Sequence, residues 1–293
     1  MGADHRQISA RTLASGLLCI FRTKVVVFIA VLVLIVGIAH AGGRIPDAGT
    51  GNVEPMLRYS FSNQVFPAAS FSNITHLGTK ERETQIRLIG EYGLGSGFSL
   101  DYDLRYAFLY RSKTKNGVAV VNTYSGLQDQ RIGLNYGLAQ SDDFSDTIGL
   151  GVVLPGNSIA KSPGVGTGHW ALEPIYRIAF KPGFWHLSGD FDIGSRVFLD
   201  GGAAQFRTHL EIGAPIFNRV HLSGKLFFVR SARMNGYNDL RDSVERYDLL
   251  RLGIEAKFHL TDSVEPILAY ETGIAGMGGH ASQRFTLGMK ISF

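Results

Sequence analysis

Apolar and polar residues alternate with a period of two through most of the chain after residue 41. In the clearest run, FSLDYDLRYAFLYR at 98–111, every even position is Phe, Leu or Tyr, and four odd positions are charged. Successive side chains of a β-strand point to opposite faces, so the run predicts a strand with one apolar and one charged face. Its length exceeds the roughly 5–6 residues of an ordinary strand.

Twelve segments share this alternation: 53–63, 83–94, 97–111, 127–139, 144–156, 168–181, 184–199, 203–215, 218–233, 245–260, 263–276 and 282–293. Every even-numbered gap between them is a tight turn, and most odd-numbered gaps are long, although the gap at 200–202 is short. Outer-membrane barrels have an even number of strands, short periplasmic turns and longer external loops. The pattern therefore predicts an all-β fold, a transmembrane antiparallel β-barrel of twelve strands.

A soluble β-sandwich or lipocalin-like barrel would also alternate, but with its apolar face turned inward. Alternation alone does not show which face lies inside. The long strands and the high aromatic content favour a barrel in lipid, where the backbone must satisfy all its hydrogen bonds internally and closure removes exposed strand edges.

The last ten residues, RFTLGMKISF, form a fully patterned strand that ends on Phe293. Chain ends are usually polar and frayed, whereas a final strand that pairs with the first strand would close a barrel. A terminal Phe after alternating apolar residues also resembles the signal read by the outer-membrane insertion machinery. The expected partners are therefore that machinery, outer-membrane lipid and a small-molecule substrate.

The N-terminus predicts export. Arg22 and Lys24 precede an apolar run at 25–38 and the small-residue exit AHA at 39–41, which is the layout of a secretory signal peptide. The run is shorter than the ~20 residues of a spanning helix, although a membrane anchor is the alternative. We expect a cleaved leader at 1–41 and an outer-membrane barrel at 42–293, in a Gram-negative bacterium.

Loss of this leader changes the composition in two ways. It removes Cys19, the only cysteine, so the mature chain has no disulfides. It also removes four basic residues and one acidic residue, which lowers the net charge from +4 to +1. The basic balance therefore gives no reason to expect a nucleic-acid partner.

Four glycine-rich stretches carry a family resemblance: 91–106, GLQDQRIGLNYGL at 126–138, GLGVVLPGNS at 149–158 and 166–180. Together they resemble the bacterial outer-membrane family named for the MetA pathway of phenol degradation, whose members are labelled as transporters. That family usually has LPTG where this chain has LPGN at 154–157. The resemblance implies a barrel that passes small molecules, aromatic or hydrophobic ones among them, and it carries over no catalytic residue.

The polar faces of the predicted strands hold charges of both signs, which we expect to point into the barrel. These lumen-lining candidates are Asp101, Asp103, Arg105, Arg131, Glu173, Arg177, Asp190, Asp192, Arg196, Arg207, Glu211, Arg251, Glu255, Lys257 and Glu271. Intermixed signs favour charge pairs that fill the interior. The alternative is a lining that sets the selectivity of a channel.

An enzymatic function would need a nucleophile and a base near one rim of the barrel. His169 lies near Ser158 and Ser162 in sequence, and His280 lies near Ser282. No cluster has the spacing of a metal site, and no cofactor is expected. The sequence therefore favours passage of small molecules, with a lipid hydrolase or a purely structural barrel as alternatives.

Overall fold

A computed structural model describes residues 45–65, 75–115, 118–156, 167–181, 187–199, 204–217, 219–231, 248–277 and 281–293. The expected leader at 1–41 lies outside the described residues. Within them, no helix is long and apolar enough to cross a membrane. The strands are β1 (Gly51–Val65), β2 (Thr75–Gly95), β3 (Phe98–Lys115), β4 (Val118–Leu127), β5 (Gln130–Gln140), β6 (Phe144–Leu154), β7 (Ala171–Phe180), β8 (Ser188–Phe198), β9 (Gln205–Phe217), β10 (Val220–Ser231), β11 (Asp248–Phe258), β12 (Val264–Met277) and β13 (Gln283–Ser292).

The strands form one closed antiparallel sheet. The strands from β5 to β13 pair in sequence order, β3 pairs with β2, β4 and β5, and β1 pairs with both β2 and β13. The ring therefore closes between the first and last strands, and the closed antiparallel barrel predicted from the alternation is confirmed.

The thirteen segments occupy twelve positions in the barrel, because β4 and β5 together form one interrupted strand. Strand β3 pairs with β4 between Lys115 and Tyr106, and then with β5 between Asp103 and Phe98. At the interruption, the Gln130 side chain forms the hydrogen bonds with the Arg105 backbone that a neighbouring strand would otherwise form. Its Oε1 accepts a hydrogen bond from the Arg105 N–H and its Nε2 donates to the Arg105 carbonyl, both at 2.8 Å.

The alternation predicts a long loop at 112–126, and that prediction is wrong. Strand β3 continues to Lys115 and β4 begins at Val118, so most of this stretch is paired. The sequence VAVVNTYSGL alternates poorly, and the ladder supplied by the long neighbour β3 determines its conformation instead.

The two ends of the barrel differ. At one end, tight connections join β2 to β3, β5 to β6, and β11 to β12, and Gly51 and Phe293 lie at this same end. At the other end, β2 has 21 residues and β3 has 18. About 9–11 residues are enough to cross a bilayer, so these strands extend past it on the side of the long connections.

The apolar face of the barrel points outward. Ile86 is 55% exposed, while the buried polar residues include Asn135, at 1%, and Ser99. A soluble barrel would show the opposite arrangement. The outward glycine Gly90 is covered by an aromatic ring of the neighbouring strand, since an added Cβ would lie 2.4 Å from Tyr102 Cζ. The outer surface is therefore the apolar belt of an outer-membrane barrel.

Candidate functional site

The interior of the barrel holds the candidate site. None of the fifteen charged candidates is exposed, and seven are buried: Asp101, Asp103, Glu173, Arg196, Glu211, Arg251 and Glu255. All of them except Asp190 take part in an ion pair within the described part of the chain. Asp190 lies directly opposite Glu211 in the register of β8 and β9. The charges fall into separate groups around the wall.

The first group is centred on Glu173. Its carboxylate accepts a hydrogen bond from Arg207 NH1 at 2.9 Å, lies 3.0 Å from Arg131 Nε, and also contacts Arg196 Nε. Arg131 reaches on to Asp101, and Arg196 NH1 lies 3.7 Å from an Asp129 oxygen. Three carboxylates and three guanidiniums therefore form one neutral network that links β3, β5, β7, β8 and β9.

The second group is a four-membered cycle of charges. Lys225 Nζ lies 3.1 Å from Glu211 and 2.6 Å from Glu255, and Lys257 Nζ lies 3.4 Å and 3.2 Å from the same two carboxylates. The hydroxyl of Ser223 donates to Glu211 at 2.8 Å. This group is also neutral, and the mutual pairing compensates the cost of removing these charges from bulk water.

Two smaller groups also contain paired charges. The carboxylate of Asp103 accepts a bidentate pair of hydrogen bonds from Arg87, from Nε at 2.8 Å and from NH2 at 2.7 Å. It also accepts hydrogen bonds from Arg105. Arg177 Nε donates to Asp192 at 3.1 Å, and His209 lies 3.7 Å from the other Asp192 oxygen.

Glycines on the inner face let the largest of these side chains lie flat against the wall. A Cβ at Gly133 would lie 2.1 Å from Asp101 Oδ1, and a Cβ at Gly151 would lie 2.5 Å from Arg131 Nε. A Cβ at Gly149 would similarly lie 2.2 Å from Asn135 Oδ1. The side chains on this wall therefore occupy a layer next to the backbone.

The segment before β1 crosses the inner wall at the end with the tight turns. Gly49 N–H donates to the Gly93 carbonyl at 3.0 Å, and a Cβ at Gly93 would lie 2.2 Å from the Pro46 carbonyl oxygen. Ile45 is buried, and its Cγ1 would lie 3.2 Å from a Cβ at Gly137. The segment thus covers part of the wall of β2 and β5.

Several interior residues are not among the candidates predicted from the sequence. Arg58 and Arg87 each lie between two apolar residues of an alternating segment, in LRY and IRL, so the same period-two signal could have found them. Asp129 lies at the interruption between β4 and β5, where no alternation marks it. Its carboxylate accepts from Thr167 N–H at 2.9 Å and Thr167 Oγ1 at 2.7 Å, so it joins a loop end to the Glu173 network.

The proposed hydrolase residues are only partly described. Ser158, Ser162 and His280 lie outside the described residues, and the His169 ring makes an edge contact with Phe198 at 6.0 Å between centroids. The structure instead brings Ser188 Oγ to 2.8 Å from His221 Nε2 on the inner face.

A serine nucleophile also needs a group that orients its histidine and donors for the oxyanion. The described part of the chain shows no carboxylate bonded to His221. It also shows no group of three or more potential metal ligands.

A closed barrel with an apolar belt outside and paired charges inside defines an outer-membrane β-barrel. No family model and no curated protein matches the chain. Among solved structures, it is similar to the COG4313 outer membrane channel from Pseudomonas putida F1, with a TM-score of 0.64 and 14% identity over 85% of this chain and 97% of that one. This likeness supports the fold.

Two other solved structures are more distant. The KdgM porin has a TM-score of 0.48 and 10% identity over 82% of this chain and 99% of that one. The CymD monoaromatic hydrocarbon channel has a TM-score of 0.43 and 9% identity over 86% and 94%.

Proposed function

We propose that the barrel provides a path for small molecules across the outer membrane. The observation that carries this proposal is the layer of interior charges held against the wall, with glycines such as Gly133 and Gly151 accommodating the Asp101 and Arg131 side chains. Eight-stranded barrels are filled by their side chains and sixteen-stranded porins hold a water channel. In a twelve-stranded barrel, side chains that lie flat leave space along the axis.

The proposal extends to the kind of molecule and to the partners. The resemblance to the phenol-degradation family supports small aromatic or hydrophobic compounds as substrates. The apolar outer belt supports contact with outer-membrane lipid, and the final strand ending on Phe293 supports delivery by the insertion machinery.

We further propose that the protein is not an enzyme. The Ser188–His221 contact is the observation that favours a hydrolase, and it is explained equally well as one hydrogen-bonded polar pair on the inner face. Purified protein should release no fatty acid from phospholipid vesicles. Release that disappears in Ser188→Ala would reverse this conclusion and assign a catalytic serine.

Single-channel recording in planar bilayers tests the path directly. Wild-type protein should produce discrete conductance steps in KCl. Ala269 lies on the inner face of β12, and its neighbour Leu268 points outward and is 49% exposed. Ala269→Trp should lower the conductance, because the indole projects into the interior, whereas Leu268→Trp should leave it unchanged.

Two results would count against a path through the interior. One is the absence of conductance from a wild-type protein that shows the heat-modifiable gel mobility of a folded barrel. The other is an equal effect of the two tryptophan substitutions.

A further inference from the structure

Arg58 differs from the other interior arginines because, in the described part of the chain, it has no carboxylate within ion-pair distance. It lies in the middle of β1, opposite Thr286 of β13 and Gln85 of β2. Its Nε donates to Thr286 Oγ1 at 3.3 Å, which is the long end of the range for such a bond. Glu83, diagonal to Arg58 on β2, forms no ion pair with it.

The neighbours of Arg58 raise the energetic cost of leaving its charge without an ion-pair partner. Arg284 on β13 and Arg87 on β2 are diagonal to it in register, a separation of roughly 7–8 Å in antiparallel pairs. The carboxylate beside Arg87, that of Asp103, is already shared with Arg105. Arg58 therefore lies between two guanidiniums, and the carboxylate that attracts it, Glu271, is outside ion-pair distance of it and is shared with Arg284 and Arg251.

Arg284 is itself poorly satisfied. Its NH1 lies 3.8 Å from Glu271 Oε2, and that same oxygen lies 3.9 Å from Arg251 NH1. Its Nε is buried and has no hydrogen-bond partner in the described part of the chain. Two adjacent arginines thus present unused donors to one region of the interior, between β13 and β1.

We propose that Arg58 and Arg284 bind the carboxylate of a small organic anion inside the barrel, with the Thr286 hydroxyl beside it. A guanidinium presents paired N–H donors that match the two oxygens of a carboxylate. A single negative charge matches Arg58, which has no carboxylate within ion-pair distance among the described residues. This inference rests on the proposed passage of small molecules and specifies their class.

Benzoate and its neutral isostere benzamide provide the test in planar bilayers. Benzoate should reduce the KCl conductance of the wild-type protein in a concentration-dependent way, and benzamide at equal concentration should not. Arg58→Gln should raise the half-blocking concentration of benzoate by about tenfold or more, because hydrogen bonds to charged groups contribute roughly 1.5–3 kcal/mol. Arg58→Lys should retain part of the block.

Arg177→Gln is the matched control, because it removes the same charge from an interior arginine that is paired with Asp192. It should leave the half-blocking concentration within about twofold. An equal shift in both variants would overturn the site and attribute the block to the total interior charge. Equal block by benzoate and benzamide, or by benzoate and phosphate, would overturn the carboxylate assignment.

The inference and the proposed function fail in different ways. If the wild-type barrel conducts and Arg58→Gln does not change the benzoate block, the site is wrong and the channel stands. If the folded wild-type barrel does not conduct, the channel is wrong. The site is then tested by equilibrium dialysis of radiolabelled benzoate, in which wild-type retention that is lost in Arg58→Gln supports it and unchanged retention overturns it.

Discussion

Gly51 and Phe293 exchange two backbone hydrogen bonds, with N···O distances of 2.9 and 3.0 Å, that join the start of the first strand to the last residue of the chain. The Phe293 ring also stacks on Tyr92, with 6.4 Å between centroids. A Cβ at Gly51 would lie 3.2 Å from Phe293 Cζ and 2.4 Å from the Glu91 carbonyl oxygen. The terminal aromatic residue is therefore part of the seam that closes the barrel.

Deletion of Phe293 should destabilise the barrel by about 1–3 kcal/mol, because two backbone hydrogen bonds are lost. Denaturant unfolding in detergent micelles measures this change. Phe293→Leu keeps the backbone bonds and should refold almost normally in detergent. If the insertion machinery recognises the terminal Phe, the same variant should still reduce the amount of folded barrel in cells. Unchanged unfolding of the deletion variant would exclude the seam role, and normal assembly of Phe293→Leu in cells would exclude recognition of the terminal Phe.

Much of this fold follows from the period of two. Because alternate residues of a strand share one face, Ile86 and Arg87 had to point to opposite sides, and one of these faces had to meet lipid. The alternation does not predict which charged residues pair with each other. Glu173 meets Arg131 and Arg207, which lie on other strands, and the register and curvature of the whole ring bring them together.

Local chemistry explains what the alternation missed at the interruption between β4 and β5. The Gln130 side chain takes over backbone hydrogen bonds of Arg105, and Asp129 leaves the strand pattern to bind Thr167 across a loop. Both roles depend on partners distant in sequence. Arg58, in contrast, fits the alternation. That no carboxylate lies within ion-pair distance of it, among the described residues, is visible only in the three-dimensional structure.

Glu173→Gln should be strongly destabilising. The substitution removes the carboxylate charge that faces Arg131, Arg196 and Arg207 and leaves buried guanidiniums without full compensation. Breaking a buried ion pair costs about 3–5 kcal/mol. The midpoint of denaturant unfolding in micelles should fall accordingly. The control is Glu81→Gln, which weakens a more exposed pair with Arg111 and should cost at most about 1 kcal/mol.

Gly133→Ala and Gly224→Ala compare an inner glycine with an outer one. The added methyl group at Gly133 would meet Asp101 Oδ1 at 2.1 Å and should displace the Arg131 contact, at a cost of about 1–3 kcal/mol. At Gly224 the nearest atom is the Ile212 carbonyl oxygen at 3.9 Å, so the change should stay within about 0.5 kcal/mol. Equal unfolding midpoints for the two variants would show that the Arg131 side chain is not held against the wall.

The orientation of the barrel predicts which residues reach the cell exterior. Asn122 is exposed on β4 near the end with the long connections, and Asp262 is exposed in the tight turn between β11 and β12. In intact cells, a membrane-impermeant maleimide should label Asn122→Cys and leave Asp262→Cys unlabelled. Wild-type protein should show no background if the leader with Cys19 is removed. Labelling of Asp262→Cys alone would invert the orientation.

Liposome swelling tests the central claim, passage of small solutes through the barrel, most directly. Proteoliposomes with the wild-type barrel should swell in isotonic solutions of small solutes at rates that fall as solute size increases. Liposomes with Ala269→Trp should swell more slowly than those with Leu268→Trp, because only the first substitution projects into the interior. Swelling of wild-type proteoliposomes no faster than protein-free liposomes, for every solute tested, would contradict the claim.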